Sequence, residues 1–141
     1  MSNLKRFAEY AAAFEETYID DDWTRLVQYF SPDAVYLPGD VKAAVGRENV
    51  LQTLRDSVNS LDRMFDVREF TEAPILTEVE DAVTLSFKVR YAKQGLPDLT
   101  IFGTEVATYE GGLIQKMEDF IDEKAAAAMA QWLEKHQRSL G

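Results

Sequence analysis

Glu105 and Asp119 are the residues whose types and spacing best suit them to chemistry. In the series Leu99, Ile101, Gly103, Glu105, Ala107, Tyr109 every second residue but Glu105 is apolar or small. A strand therefore carries this carboxyl on an otherwise apolar face. The series Leu113, Gln115, Met117, Asp119, Ile121 puts Asp119 on a mostly apolar face. The turn between the two strands decides how the acids meet. A three-residue loop Glu110-Gly111-Gly112 sets Glu105 opposite Met117 and Asp119 opposite Gly103, leaving the carboxylates as diagonal neighbours roughly 7–8 Å apart. A two-residue Gly111-Gly112 turn sets Glu105 opposite Glu118 instead. Two acids in one poorly solvated cleft acquire raised and separated pKa values, the condition for general acid–base catalysis. The opposing reading pairs either acid with Lys88, Arg90 or a helix N-terminus and gives it a purely structural role.

Other residues offer less. Tyr10, Phe14 and Tyr18 recur at helical spacing and can wall an apolar pocket, with Ile101, Gly103, Met117 and Ile121 as its floor and small Gly103 leaving room. Such an aromatic stripe is equally a core face. Tyr36 can offer its hydroxyl to a ligand, and Asp40 is an acid in a turn. Asp20-Asp21-Asp22 begins like a calcium loop, but lacks the Gly at position six and the Glu at position twelve. The helix-capping reading fits it better. Gly46 and Gly111-Gly112 have no phosphate-loop context. The chain contains one histidine and no cysteine. Thiol catalysis and disulfides are excluded, and no metal or cofactor is called for.

The elements that position these residues follow from periodicity. Phe7, Tyr10, Phe14 and Tyr18 predict a helix over 3–19. Trp23, Leu26, Val27 and Phe30 predict a second, capped by Asp22 and stopped by Ser31-Pro32. A short strand spans 34–37, ended by Pro38-Gly39-Asp40, and a third helix follows Gly46. Strands are expected over 64–71, 75–79, 83–91, 99–109 and 113–121, the third alternating strictly from Val83 to Tyr91. A last helix runs over 123–138, with Met129, Trp132, Leu133 and His136 on one side. This is an α+β domain spanning 1–141, with a meandering antiparallel sheet.

The 141 residues carry a formal net charge of -10. No basic stripe is present to neutralise phosphates, which argues against nucleic acid and anionic membrane surfaces as partners. The opening residues lack an apolar signal segment, and a cytoplasmic location is expected. The outward residues of the last two strands, Phe102, Val106, Ile114 and Phe120, lie on a face that no helix is expected to cover. A homodimer through that outer face is the expected consequence.

The segments Asp22-Trp23…Leu26…Tyr29-Phe30-Ser31-Pro32-Asp33-Ala34-Val35-Tyr36, Gly46-Arg47-Glu48 and Gly112-Leu113-Ile114…Asp119-Phe120-Ile121-Asp122 resemble the nuclear transport factor 2-like superfamily, which includes SnoaL-like cyclases and ketosteroid isomerases. The resemblance spans nearly the whole chain. It implies a cone-shaped, curved antiparallel sheet around N-terminal helices, with a C-terminal helix and a pocket for a small apolar organic molecule. It also implies isomerisation, cyclisation, dehydration or epoxide opening, or ligand or protein binding without catalysis. Glu105 matches the position of a protonated oxyanion-hole acid in ketosteroid isomerases, and Asp119 a catalytic aspartate of limonene-epoxide-hydrolase-type enzymes. The isomerase base position falls at Leu37 or Pro38, with Asp40 the nearest acid, and its tyrosine falls at Phe14. The epoxide hydrolase's partner arginine and aspartate fall near Ser86 and Lys88. The His–Asp dyad of dehydratases is excluded, because His136 stands near the C-terminus.

Overall fold

The computed structural model describes residues 2–39 and 42–140. Helix α1 (Asn3–Asp20) buries Phe7, Tyr10, Ala13 and Thr17, a stripe at three- and four-residue spacing. Ser2 caps its start by accepting from the Lys5 N–H. Asp21 ends it in a left-handed conformation, φ 60°, returning its own N–H to the Thr17 carbonyl. The predicted second helix is a 3₁₀ segment, Trp23–Tyr29, and Phe30 already belongs to strand β1 (Phe30–Leu37). Pro32 does not stop this strand, because the pairing of β1 is irregular between Phe30 and Val35.

Strand β2 (Ala44–Val45) and helix α2 (Arg47–Ser60) follow, then β3 (Val67–Phe70), β4 (Ile75–Val79), β5 (Ala82–Ala92), β6 (Leu99–Glu110), β7 (Leu113–Phe120) and helix α3 (Glu123–Leu140). The sheet is curved, unclosed and seven-stranded, in the order β2-β1-β7-β6-β5-β3, with β4 also paired to β5. It is mixed rather than wholly antiparallel, since β1 lies parallel to β7. More than seventy residues separate these two strands, so no local turn constrains their relative direction.

The β6–β7 hairpin turns on Gly111 and Gly112, both at positive φ (59° and 81°), as a two-residue type I′ turn requires. Glu110 faces Leu113 and Tyr109 faces Ile114, but Thr108 then faces Lys116, so Gln115 is an extra residue. The Gln115 side chain accepts from the Ser31 hydroxyl of β1 at 2.9 Å, which anchors this bulge. The register formed is neither the one a three-residue loop sets nor the one an unbulged two-residue turn sets. The bulge moves every later pair by one, and Glu105 stands directly opposite Asp119. It also turns Ile114 inward, where it is fully buried, correcting its predicted place on the outer face.

The inner face of the sheet carries two hydrophobic clusters. One joins Phe7, Tyr10, Leu26, Phe30 and Val50 to Val83, Ala107, Ile114 and Met117. The other packs α3 through Trp132 and Leu140 against Phe65, Tyr91, Leu99 and Ile101. Full burial of one such side chain contributes about 1.5–3 kcal/mol, so these stripes, rather than intrinsic helix propensity, hold the helices on the sheet. Among the described residues no helix is long and apolar enough to cross a membrane.

Candidate functional site

The sheet register builds the site in rows across the inner face. Phe87 of β5 faces Gly103 of β6. One row along, Leu85, Glu105 and Asp119 stand side by side, and beyond them Val83, Ala107 and Met117. Tyr36 of β1 pairs with Met117 in the parallel ladder, which brings its phenol to Asp119 two residues along the same face. Its hydroxyl donates to Asp119 Oδ2. Asp119 Oδ1 is sealed from solvent and accepts from no donor. Both acids are half-buried residues, and the Tyr10 and Tyr36 rings are buried.

The electrostatics follow from this crowding. Burial first, then the charge of Asp119, and then a hydrogen bond with Asp119 hold the Glu105 carboxyl well above the usual carboxylate range. Burial and the charges of Glu105 and Asp119 likewise raise the Tyr10 phenol. Tyr36 is raised by burial, then by Asp119 and Glu105. A protonated Glu105 is the donor that Asp119 Oδ1 otherwise lacks. The pair can hold one proton between two oxygen acids, release it to a substrate oxygen, and take up another at Asp119. No cation joins it. Arg90 pairs with Glu69 and Asp98, both at 2.8 Å, and Lys88 sits opposite Phe102 on the other face.

The remaining predicted site residues divide. Tyr10 is buried in the first cluster, near enough to the acid pair for both charges to raise its phenol, and Phe14 meets its ring edge-on, 6.2 Å between ring centroids. Met117 is fully buried in the first cluster and Ile101 belongs to the second. Tyr18 stands apart. Its ring lies under the Arg68 guanidinium at 4.7 Å, and its hydroxyl points at the Asp62 carbonyl. Gly103 offers no room, contrary to expectation. A Cβ there would lie 2.8 Å from the Phe120 carbonyl oxygen, 3.3 Å from Ile121 Cγ1 and 3.4 Å from Phe87 Cζ. This glycine permits close approach of neighbours rather than opening a pocket floor. Asp40 lies outside the described residues. Two surface clefts, of about 280 and 330 Å³, are lined by Pro32 and residues 46–49, and by Glu72, Ile75, Phe87 and Phe102 with their neighbours. Neither touches the acid pair.

One polar cluster was not foreseen. Arg68 donates from Nε to Asp62 Oδ2 at 2.7 Å and from both terminal nitrogens to Glu15, while the Tyr91 hydroxyl donates to the same Asp62 oxygen. Burial raises the Asp62 carboxyl, against the opposing pull of Arg68. These residues come from α1, β3, β5 and the segment after α2. No local spacing links them, so the sequence carries no signal for the cluster. Among the described residues no group of three or more His, Cys, Asp or Glu could hold a metal ion.

No protein-family model matches the sequence, and no curated protein matches it. Solved structures do match. An NTF2-like protein of unknown function from Burkholderia pseudomallei aligns with a TM-score of 0.68 at 18% identity, covering 94% of this chain and 98% of that one. TerC, co-crystallised with polyporic acid, aligns with a TM-score of 0.67 at 16% identity, over 94% of this chain and 99% of its own. A proposed SnoaL-like polyketide cyclase from Shewanella denitrificans aligns with a TM-score of 0.61 at 14% identity, over 91% and 96%. The chain has the nuclear transport factor 2-like fold. Within that fold its acid pair shares a face of the sheet with Tyr36 and Met117, the face packed by the first hydrophobic cluster.

Proposed function

We propose that this protein is a small-molecule enzyme performing cofactor-free acid–base chemistry of the isomerisation, cyclisation, dehydration or epoxide-opening kind. Its substrate is a mostly apolar organic molecule bearing an oxygen function. The observation that carries this reading is the direct opposition of Glu105 and Asp119 on the inner face. Protonated Glu105 donates to a substrate carbonyl and stabilises the developing enolate, while the Asp119 carboxylate takes the proton from the adjacent carbon. Tyr10 and Phe14 supply the apolar wall. The resemblance to SnoaL-like cyclases, and a neighbour crystallised with an organic acid, support the substrate class. The protein is read as cytoplasmic and dimeric, with no nucleic acid or membrane partner.

A second reading is favoured by one observation. Phe87 and Ile121 fill the space beside Gly103, which favours a member of the fold that binds a ligand elsewhere or a protein without turning anything over. Exchange of the α-protons of a panel of cyclic ketones in D₂O separates the two. Exchange above the buffer rate is expected, falling by about 10²–10⁴-fold in Glu105→Ala and in Asp119→Ala. Ketones that bind by saturation transfer but exchange at the buffer rate would establish the second reading.

A further inference from the structure

We infer that Tyr36 is a positioning residue that decides which carboxyl of the Glu105–Asp119 pair keeps the shared proton. The inference rests on the acid–base reading above and assigns this tyrosine a part in it. The two carboxyls occupy equivalent places, directly opposed on neighbouring strands, and nothing in the hairpin itself distinguishes them. Their surroundings do. Asp119 receives the Tyr36 hydroxyl from β1, whereas Glu105 accepts from no donor among the described residues and has Leu85 as its other neighbour. A hydrogen bond donated to a carboxylate favours its ionised form.

The phenol cannot exchange roles with the acid, because burial and the two carboxyls keep its own proton in place. Among the described residues the titratable groups facing the pair are Tyr10 from α1 and Tyr36 from β1. Only the second is hydrogen-bonded to a member of the pair. The proton therefore stays on Glu105, where it can be donated to a substrate oxygen, and Asp119 remains the base. Tyr36 touches no reacting atom, and its buried hydroxyl is committed to Asp119 rather than to a ligand.

Carbon-13 NMR titration of the side-chain carboxyls, in the wild type and in Tyr36→Phe, tests this. The phenylalanine keeps the ring and removes only the donor. The Glu105 titration is expected to fall by about one to two pH units. Tyr109→Phe is the control, since Tyr109 is a buried phenol on β6, the strand of Glu105, whose hydroxyl has no partner. It should leave the Glu105 titration unmoved. A second measurement needs no tyrosine variant: a slowly exchanging hydroxyl proton far downfield in the wild type, lost in Asp119→Ala. Superimposable titrations in wild type and Tyr36→Phe, or no such hydroxyl proton in the wild type, would overturn the inference. The displaced titration together with no ketone exchange would remove the enzymatic reading and leave this one standing. Ketone exchange with unmoved titrations would do the reverse.

Discussion

Glu105 and Asp119 face each other across the β6–β7 pair because a two-residue glycine turn is followed by one extra residue, Gln115. This opposition has a consequence for stability. Glu105 titrates well above its ordinary value in the folded protein, so between the unfolded value of ~4.3 and the folded value the native state binds the extra proton. The stability contributed by the protonated carboxyl is fully present below the unfolded value and is lost as pH rises through the folded one. Glu105→Gln keeps the neutral shape and removes the titration. Its Tm is expected to match the wild type near pH 4 and to exceed it by a few degrees at pH 8. Equal Tm differences at both pH values would show that Glu105 ionises freely.

The inner-face residues of β5 and β6 were legible in the sequence because those strands alternate without interruption from Val83 to Tyr91 and from Leu99 to Tyr109. The same reading failed at Ile114, since Gln115 has nothing in its residue type that marks a bulge. The parallel pairing of β1 with β7 was equally hidden, being set by contacts across the whole chain. Tyr36 was singled out from the sequence as a ligand contact. Its bond to Asp119 depends on that non-local pairing, so only the fold discloses it. Gly103 was read as leaving room in a pocket floor, and that reading failed because the Phe120 backbone and the Ile121 and Phe87 side chains close on it, neighbours that only the sheet register reveals.

Arg68 should prove to be a stability determinant. Its side chain and that of Asp62 are each only 12% exposed, and Arg68 supplies the charge that compensates the buried carboxylate. Breaking such a pair from one side leaves an unpaired buried charge. Arg68→Ala is expected to lower the unfolding free energy in urea by about 3 kcal/mol or more. Arg68→Ala combined with Asp62→Asn should recover part of the loss, because the uncompensated charge is then gone. Glu15→Ala should cost about 1 kcal/mol or less, its carboxylate being 41% exposed. Similar losses for the Arg68 and Glu15 variants would contradict this account.

Gly103 and Phe87 give contrasting expectations at one contact. Gly103→Ala drives a Cβ against the Phe120 carbonyl oxygen, a backbone atom that moves only with its strand. A loss of about 1–3 kcal/mol is expected. Phe87→Ala removes the half-buried ring above Gly103 at a cost of roughly 2–3 kcal/mol, and opens space beside Glu105. The double variant should not be rescued, since the clash with Phe120 does not involve the ring. Phe87→Ala should also take up toluene, measured by saturation transfer, where the wild type does not. Absence of uptake would show that the inner face collapses onto the vacancy.

The outer face of the sheet supplies the last expectation. Phe102 is 43% exposed and Phe120 52% exposed. Their chain neighbours Ile101, Gly103 and Asp119 point inward, so both rings project from the side away from α1 and α3, with Val106 half-buried on the same side. Thr100, Thr104, Thr108 and the Lys116–Glu118 ion pair surround them with polar groups. Aromatic side chains left in water and ringed by polar residues mark an interface, and each ring can bury about 150–250 Å². The loss of Ile114 from this face, after the shift at Gln115, makes the two phenylalanines its principal apolar anchors. A stable interface needs about 800 Å² from each partner, so the threonines around the rings must be covered too. Two copies related by a two-fold axis satisfy this with one self-complementary patch. Sedimentation equilibrium at micromolar concentration is expected to give about twice the 16.0 kDa chain mass. Phe102→Asp and Phe120→Asp each place a carboxylate at the centre of the patch and should return the protein to monomers. The acid pair lies on the opposite face, so the Glu105 titration should survive that dissociation. A wild-type mass of 16.0 kDa, or variants that stay dimeric, would place the phenylalanines outside any interface.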